Sequence, residues 1–357
     1  MPLAAPHPRT RPRTLAAAVV SAAALLPALL APGATAVEAA PPAPSDPEVQ
    51  ATLDELAEAP TPAEQDAREE ALTENARAAA ADDFYAPPAR IPATPGTLIR
   101  QEPSAFYLDP VALVQVPASA TRIMYSSQDA QGEPIAVTGT VLTPTAAWTG
   151  AGERPVIGYA VGTQGLGDRC APSRTLATGE QYEGIGISGL LSRGYTVVAT
   201  DYEGLGTAGT HTYMVRASQA HTVLDSVRAA RHVAGADVTA TSPVALAGYS
   251  QGGGASAAAA ELADDYAPEL DVRGAYAGAP PADLVKVADA LEGGPNAGFL
   301  LYAMGGQLAA YDVDPAAYLD AEGEDVLDRA EASCTSDASQ FAGLDSATIT
   351  SSGLRFP

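Results

Sequence analysis

The chain has 357 residues, 46% of them hydrophobic, enough for one large α/β domain with insertions. Its 19 Lys and Arg stand against 43 Asp and Glu, a formal net charge of −24, which argues against nucleic acid as a partner, because binding it depends on clustered basic groups that neutralise phosphate. Two isolated cysteines, Cys170 and Cys334, and four scattered histidines match no metal-ligand spacing, so neither a metal nor another cofactor is expected.

At the amino terminus His7, Arg9, Arg11 and Arg13 form a basic stretch before an apolar run at 15–30, and Ala34-Thr35-Ala36 supplies small residues for cleavage after Ala36. Residues 1–36 therefore read as a signal peptide. Pro12 separates Arg11 from Arg13, so there is no twin-arginine pair, and Pro27 and Pro32 interrupt the run, which argues against an uncleaved membrane anchor. Residues 37–82, rich in Ala, Glu, Asp and Pro with a weak helical pattern at 62–81, read as a flexible acidic leader that can bury little apolar surface. Residues 83–280 read as the folded body. Prolines between 87 and 95 fix an extended path into it, and the runs at 121–126 and 135–142, joined by Gln131-Gly132-Glu133-Pro134, predict an antiparallel hairpin. Strands follow at 155–161 and 195–200 with a helix at 184–193 between them, then a helix at 213–234, a strand from 243, a helix over 255–262 and a strand at 272–277. Strands alternating with helices predict an α/β fold with a mostly parallel sheet covered on both faces. Residues 281–357 carry no strand signal and read as a helical cap, with helices at 282–291 and 315–333.

The strand from 243 breaks at Gly248-Tyr249-Ser250-Gln251-Gly252 and continues into an alanine-rich helix. A Gly-x-Ser-x-Gly between strand and helix places its serine in a strained turn above a helix N-terminus, as in the nucleophile elbow of α/β-hydrolases. The glycines are needed because side chains there would meet neighbouring backbone. Ser250 is the candidate nucleophile and the backbone N–H of Gln251 the first oxyanion donor. Asp201 and Glu203 read as turn residues at a strand end, or as pocket-shaping acids.

With these residues located, the chain resembles the secretory lipase family typified by Candida lipase A, a branch of the α/β-hydrolases. The resemblance rests on Gly96-Thr97-Leu98-Ile99, Cys170-Ala171-Pro172-Ser173, Asp201-Tyr202-Glu203-Gly204, Gly248-Tyr249-Ser250, Tyr266-Ala267-Pro268-Glu269-Leu270 and Gly293-Gly294-Pro295-Asn296-Ala297-Gly298-Phe299. It implies hydrolysis of lipid or small esters beneath a helical cap, a second oxyanion donor at Gln164 or Thr163, and a Cys170–Cys334 disulfide, which would stabilise the fold by about 4 to 5 kcal/mol on the chain-entropy model. Two free buried thiols are the alternative. Phe299, Leu300 and Tyr302, with Leu301 and Met304, are candidates for an acyl channel or for ordinary cap core.

A serine hydroxyl needs a base, and in this fold the order is Ser, then Asp or Glu, then His. All four histidines, His7, His211, His221 and His232, precede Ser250. The resemblance therefore puts the triad acid, the triad histidine and the last strands outside this sequence, which reads as a truncated chain with little esterase activity of its own. Three alternatives remain. One is a rewired site in which His211 is the base, while His221 and His232 are structural. Another is a cutinase-like esterase, against which the cap weighs. The third is a catalytically dead hydrolase domain that binds a lipid or surface ligand.

Overall fold

The structure, a computed structural model, describes residues 62–80 and 82–356; the expected signal peptide at 1–36 and the leader up to residue 61 lie outside them. Helix α1, Pro62–Ala80, carries the weak helical pattern read in the sequence and is tied to the body by a hydrogen bond from Asn75 Nδ2 to Glu180 Oε1 at 2.8 Å.

Among the described residues one sheet of seven strands organises the chain: β1, Leu98–Ser104; β2, Ala118–Gln128; β3, Pro134–Pro144; β4, Val156–Ala160; β5, Thr196–Thr200; β6, Val244–Tyr249; and β7, Val272–Gly278. Their order is β1-β2-β3-β5-β4-β6-β7. The expected hairpin is β2 with β3, in continuous register from Gln128 opposite Pro134 to Ala118 opposite Pro144. The sheet is mixed, half antiparallel and half parallel, rather than mostly parallel. Strands β1, β2, β3 and β5 pair antiparallel, whereas β5, β4, β6 and β7 pair parallel. The short turn at 129–133 allows β2 and β3 to pair antiparallel; parallel neighbours require crossovers, and helical ones appear only after β4.

Those crossovers cover both faces. On one face lie α4, Arg216–Ala230, and α5, Gln251–Tyr266, whose Val223, Val227, Ala255 and Ala259 pack with Val156 and Leu246. On the other lie α2, Pro172–Thr178, and α3, Gly184–Ser192, whose Leu176, Ile187 and Leu191 pack with Val197 and Ala199. Every residue of β5 is buried, which is why it reads as the unbroken apolar run Thr-Val-Val-Ala-Thr. The helix expected over 213–234 is shorter at both ends; it starts late because Met214 takes a φ of 63° and Val215 is extended before its first turn.

After β7 the chain is helical, as expected: α6, Leu284–Leu291; α7, Gly298–Ala310; and α8, Ala321–Glu331. Leu301, Tyr302, Val326, Leu327 and Phe341 form the core of this cap, which closes onto Leu166 and Tyr213 of the body. Cys170 and Cys334 are disulfide-bonded across a sequence separation of 164, fastening the cap to the loop after β4. No described helix is long and apolar enough to cross a membrane.

Candidate active site

Strand β6 ends and α5 begins at Ser250. Its backbone sits at φ 57° and ψ −121°, a conformation that costs a serine about 1–3 kcal/mol and persists only where the surroundings impose it. The imposition is steric. A Cβ at Gly248 would collide with the Gly252 carbonyl, and one at Gly252 with the carbonyl of Ala160 at the end of β4. The Ser250 N–H donates to Gly278 O at 2.9 Å, locking the turn to β7. Tyr202 and Ala279, just past β5 and β7, also have positive φ, 69° and 43°. The strained positions thus line one rim, at the carboxyl ends of the parallel strands, where open α/β sheets bind ligands.

Gln251 opens α5, so its N–H belongs to the first turn, which has no intrahelical acceptor. The side chain turns inward. Its Nε2 donates to His211 Nε2 at 3.0 Å, and His211 Nδ1 donates to the Glu203 carbonyl at 2.8 Å. Both bonds fit the neutral Nδ1–H tautomer, and burial lowers the imidazole to about 4 although the Glu203 bond raises it. Glu203 is pinned in turn by the Thr212 hydroxyl at 3.0 Å and by that of Ser218. His211 therefore holds Gln251 in place and has no nitrogen free for the Ser250 proton, which corrects the rewired-site alternative. His221 stacks on Tyr266 at 4.1 Å between ring centres, and His232 lies just beyond the end of α4.

The loop after β4 lies against this turn: a Cβ at Gly162 would stand 3.3 Å from Tyr249 O. Thr163 and Gln164 are buried. Glu183 Oε2 accepts from the Gly162 N–H at 2.8 Å, Gln164 Nε2 donates to Gly162 O at 3.0 Å, and the Tyr182 hydroxyl donates to Thr163 O at 3.1 Å. The Thr163 hydroxyl meets the Tyr213 hydroxyl at 2.8 Å. Burial pushes the Glu183 carboxyl up to about 7, against the bonds from Gly162 and Tyr159 that lower it. Among the described residues the Thr163 and Gln164 N–H groups have no acceptor. Such free donors beside a serine at a helix N-terminus can stabilise an oxygen that gains negative charge. The sequence reading missed Tyr182, Glu183 and Tyr213, whose contacts arise from tertiary packing that no spacing encodes.

Other expectations resolve into structure. Asp201 is fully buried and accepts from Ser173 N at 2.7 Å, Thr138 Oγ1 at 2.6 Å and the Ser173 hydroxyl. Burial raises it to about 6 against these bonds. It anchors the start of α2 to the end of β5. Leu300 and Tyr302 are buried in the cap, the Tyr302 hydroxyl bonded to Ser333 Oγ and Cys334 O, while Phe299 packs on Tyr302 at 5.9 Å between ring centres. Leu301 and Tyr302 thus belong to the cap core, with Phe299 and Met304 partly buried against it. The described residues contain no cluster of His, Cys, Asp or Glu able to hold a metal ion.

Comparison with known proteins agrees with this architecture. A protein of Mycobacterium tuberculosis named a probable inactive lipase is 34% identical over 211 residues, covering 57% of this chain and 46% of its own. Lipase A of Moesziomyces aphidis is 32% identical over 222 residues, covering 59% and 46%. The chain thus spans about half the length of these curated relatives. The closed-state structure of Candida antarctica lipase A superposes with a TM-score of 0.66 at 26% identity, covering 76% of this chain and 64% of that one. The rice cell wall degrading esterase LipA of Xanthomonas oryzae gives 0.58 at 25% identity, with 74% of each chain covered. Residues 169–350, just over half of the chain, match the family described as "Secretory lipase". With the strained serine turn, the capped sheet and the Cys170–Cys334 bridge already in place, that match is decisive: the chain belongs to the secretory lipase family.

Proposed function

We propose that the protein is a secreted hydrolase of carboxylic esters, lipid or small, working through an acyl-enzyme on Ser250. In the first step Ser250 Oγ bonds to the ester carbonyl carbon as its proton passes to a base. The carbonyl π electrons move onto the oxygen, held by the N–H of Gln251 and by that of Gln164 or Thr163. Collapse expels the alcohol, and water then releases the acid by the same route. The observation that carries this reading is the forced backbone of Ser250, φ 57° at the mouth of α5, beside a loop with unused N–H groups. Residues 1–36 would direct export, 37–82 form the leader, 83–280 the catalytic body and 281–357 the cap. Both nitrogens of His211 are engaged, by Gln251 and by the Glu203 carbonyl, so His211 is not that base.

A relative named a probable inactive lipase favours one second reading: a hydrolase domain that binds an ester or lipid without turning it over. Hydrolysis of p-nitrophenyl butyrate by the protein and its Ser250→Ala variant separates the two. Turnover that vanishes in the variant supports the hydrolase; binding of the ester without turnover supports the second reading; equal turnover in both proteins contradicts both.

A further inference from the structure

The cap reaches the carbonyls of the candidate oxyanion loop at Thr335, which follows the disulfide-bonded Cys334. Its N–H donates to Gln164 O at 2.8 Å and its hydroxyl to Thr163 O at 2.7 Å. Alongside it Gly165 bridges to Cys334, and the Leu166 N–H donates to Ser333 O at 3.0 Å, so cap residues 333–335 lie along the loop as an added short strand.

The consequence follows from peptide planarity. A trans peptide fixes its N–H opposite its carbonyl, so a bond that holds one aims the other. The Thr163 carbonyl shares its plane with the Gln164 N–H. Where Thr335 holds that carbonyl, the Gln164 N–H points the opposite way, and it has no acceptor among the described residues. The preceding plane is set from within the loop, where Gln164 Nε2 holds Gly162 O and leaves the Thr163 N–H free. The carbonyls of Gly162, Thr163 and Gln164 are all bonded while the two donors needed at a charged oxygen are unspent.

We propose that Thr335 is a positioning residue: from the cap, its hydroxyl and N–H orient the peptide planes of Thr163 and Gln164 so that the Gln164 N–H meets the tetrahedral oxygen formed on Ser250. This rests on the hydrolase reading of Ser250. It gives the Cys170–Cys334 bridge a second role, keeping Thr335 seated on the loop it orients.

Butylboronic acid is the probe, because it adds reversibly to a serine oxygen as a charged tetrahedral adduct and so reads the oxyanion donors at equilibrium without turnover. Losing one such donor costs about 10²–10³-fold in catalysis. A donor that is misaimed but still present should weaken the adduct by about 10-fold in Thr335→Val. Thr335→Ser, which keeps the hydroxyl, should restore affinity, and the urea midpoint of both variants should match wild type. Tyr182→Phe, which removes the other hydroxyl on Thr163 O, should weaken the adduct in the same direction and serves if Thr335→Val fails to fold. Unchanged affinity in folded Thr335→Val, or equal losses in the Val and Ser variants, overturns the proposal alone. A wild-type protein that forms no Ser250-dependent adduct overturns the hydrolase reading and this inference with it.

Discussion

Ser250 and His211 both sit in states their residue types rarely adopt. The Ser250 backbone is held where glycine is at ease and serine is not, so Ser250→Gly should stabilise the fold by about 1–2 kcal/mol in urea unfolding while abolishing any adduct or activity that depends on the hydroxyl. A Ser250→Gly protein no more stable than wild type would mean that the turn carries no strain. His211 gives a pH signature. Its folded value, about 4, lies below the ordinary 6.5, so between these values the unfolded chain binds a proton that the folded chain does not, and stability falls as pH drops. The full loss reaches about 3 kcal/mol near pH 4. The advantage of wild type over His211→Asn in urea unfolding should therefore shrink by about that amount from pH 7 to pH 4. A constant difference would mean that the imidazole titrates normally.

At the scale of elements, the turn between β6 and α5 depends on an approach to β4 that tolerates no side chain at Gly252. Gly252→Ala should cost about 3 kcal/mol by overpacking, although alanine is the better helix former, and an unchanged midpoint would refute the close approach. Much of this scale was legible in the sequence. The Gly-x-Ser-x-Gly between apolar strand and alanine-rich helix located the turn, because only a few residue types survive in it. Fully buried β5 announced itself as a β-branched run. Helix α7 was harder to see, since Gly298, Gly305 and Gly306 give it the composition of a loop; its burial against Tyr213 and the α8 residues overrides that propensity. The antiparallel half of the sheet was also under-read, since a pattern of alternating strands and helices says nothing of the strands that precede it. What no pattern revealed was the support of the loop after β4. Glu183 lies about twenty residues beyond it and Thr335 about 170, each reaching it only once the chain has folded.

For the whole molecule, the fastening of cap to body is the main structural decision. The Cys170–Cys334 bond spans 164 residues and should contribute about 5 kcal/mol on the chain-entropy model. The double variant Cys170→Ser, Cys334→Ser should unfold at lower urea by about that energy, and should show faster hydrogen exchange at residues 162–167, because the segment 333–335 loses its anchor. Loss of stability with unchanged exchange in that loop would confine the bridge to a stabilising role. The acidic surface, −24 in net charge, favours solubility and says nothing of substrate.

Whether Ser250 faces prepared N–H donors is read by boron-11 NMR of the protein with butylboronic acid. Wild type should give a tetrahedral boron signal that is absent in Ser250→Ala. A signal that stays trigonal in both proteins, or turns tetrahedral in both, would contradict it.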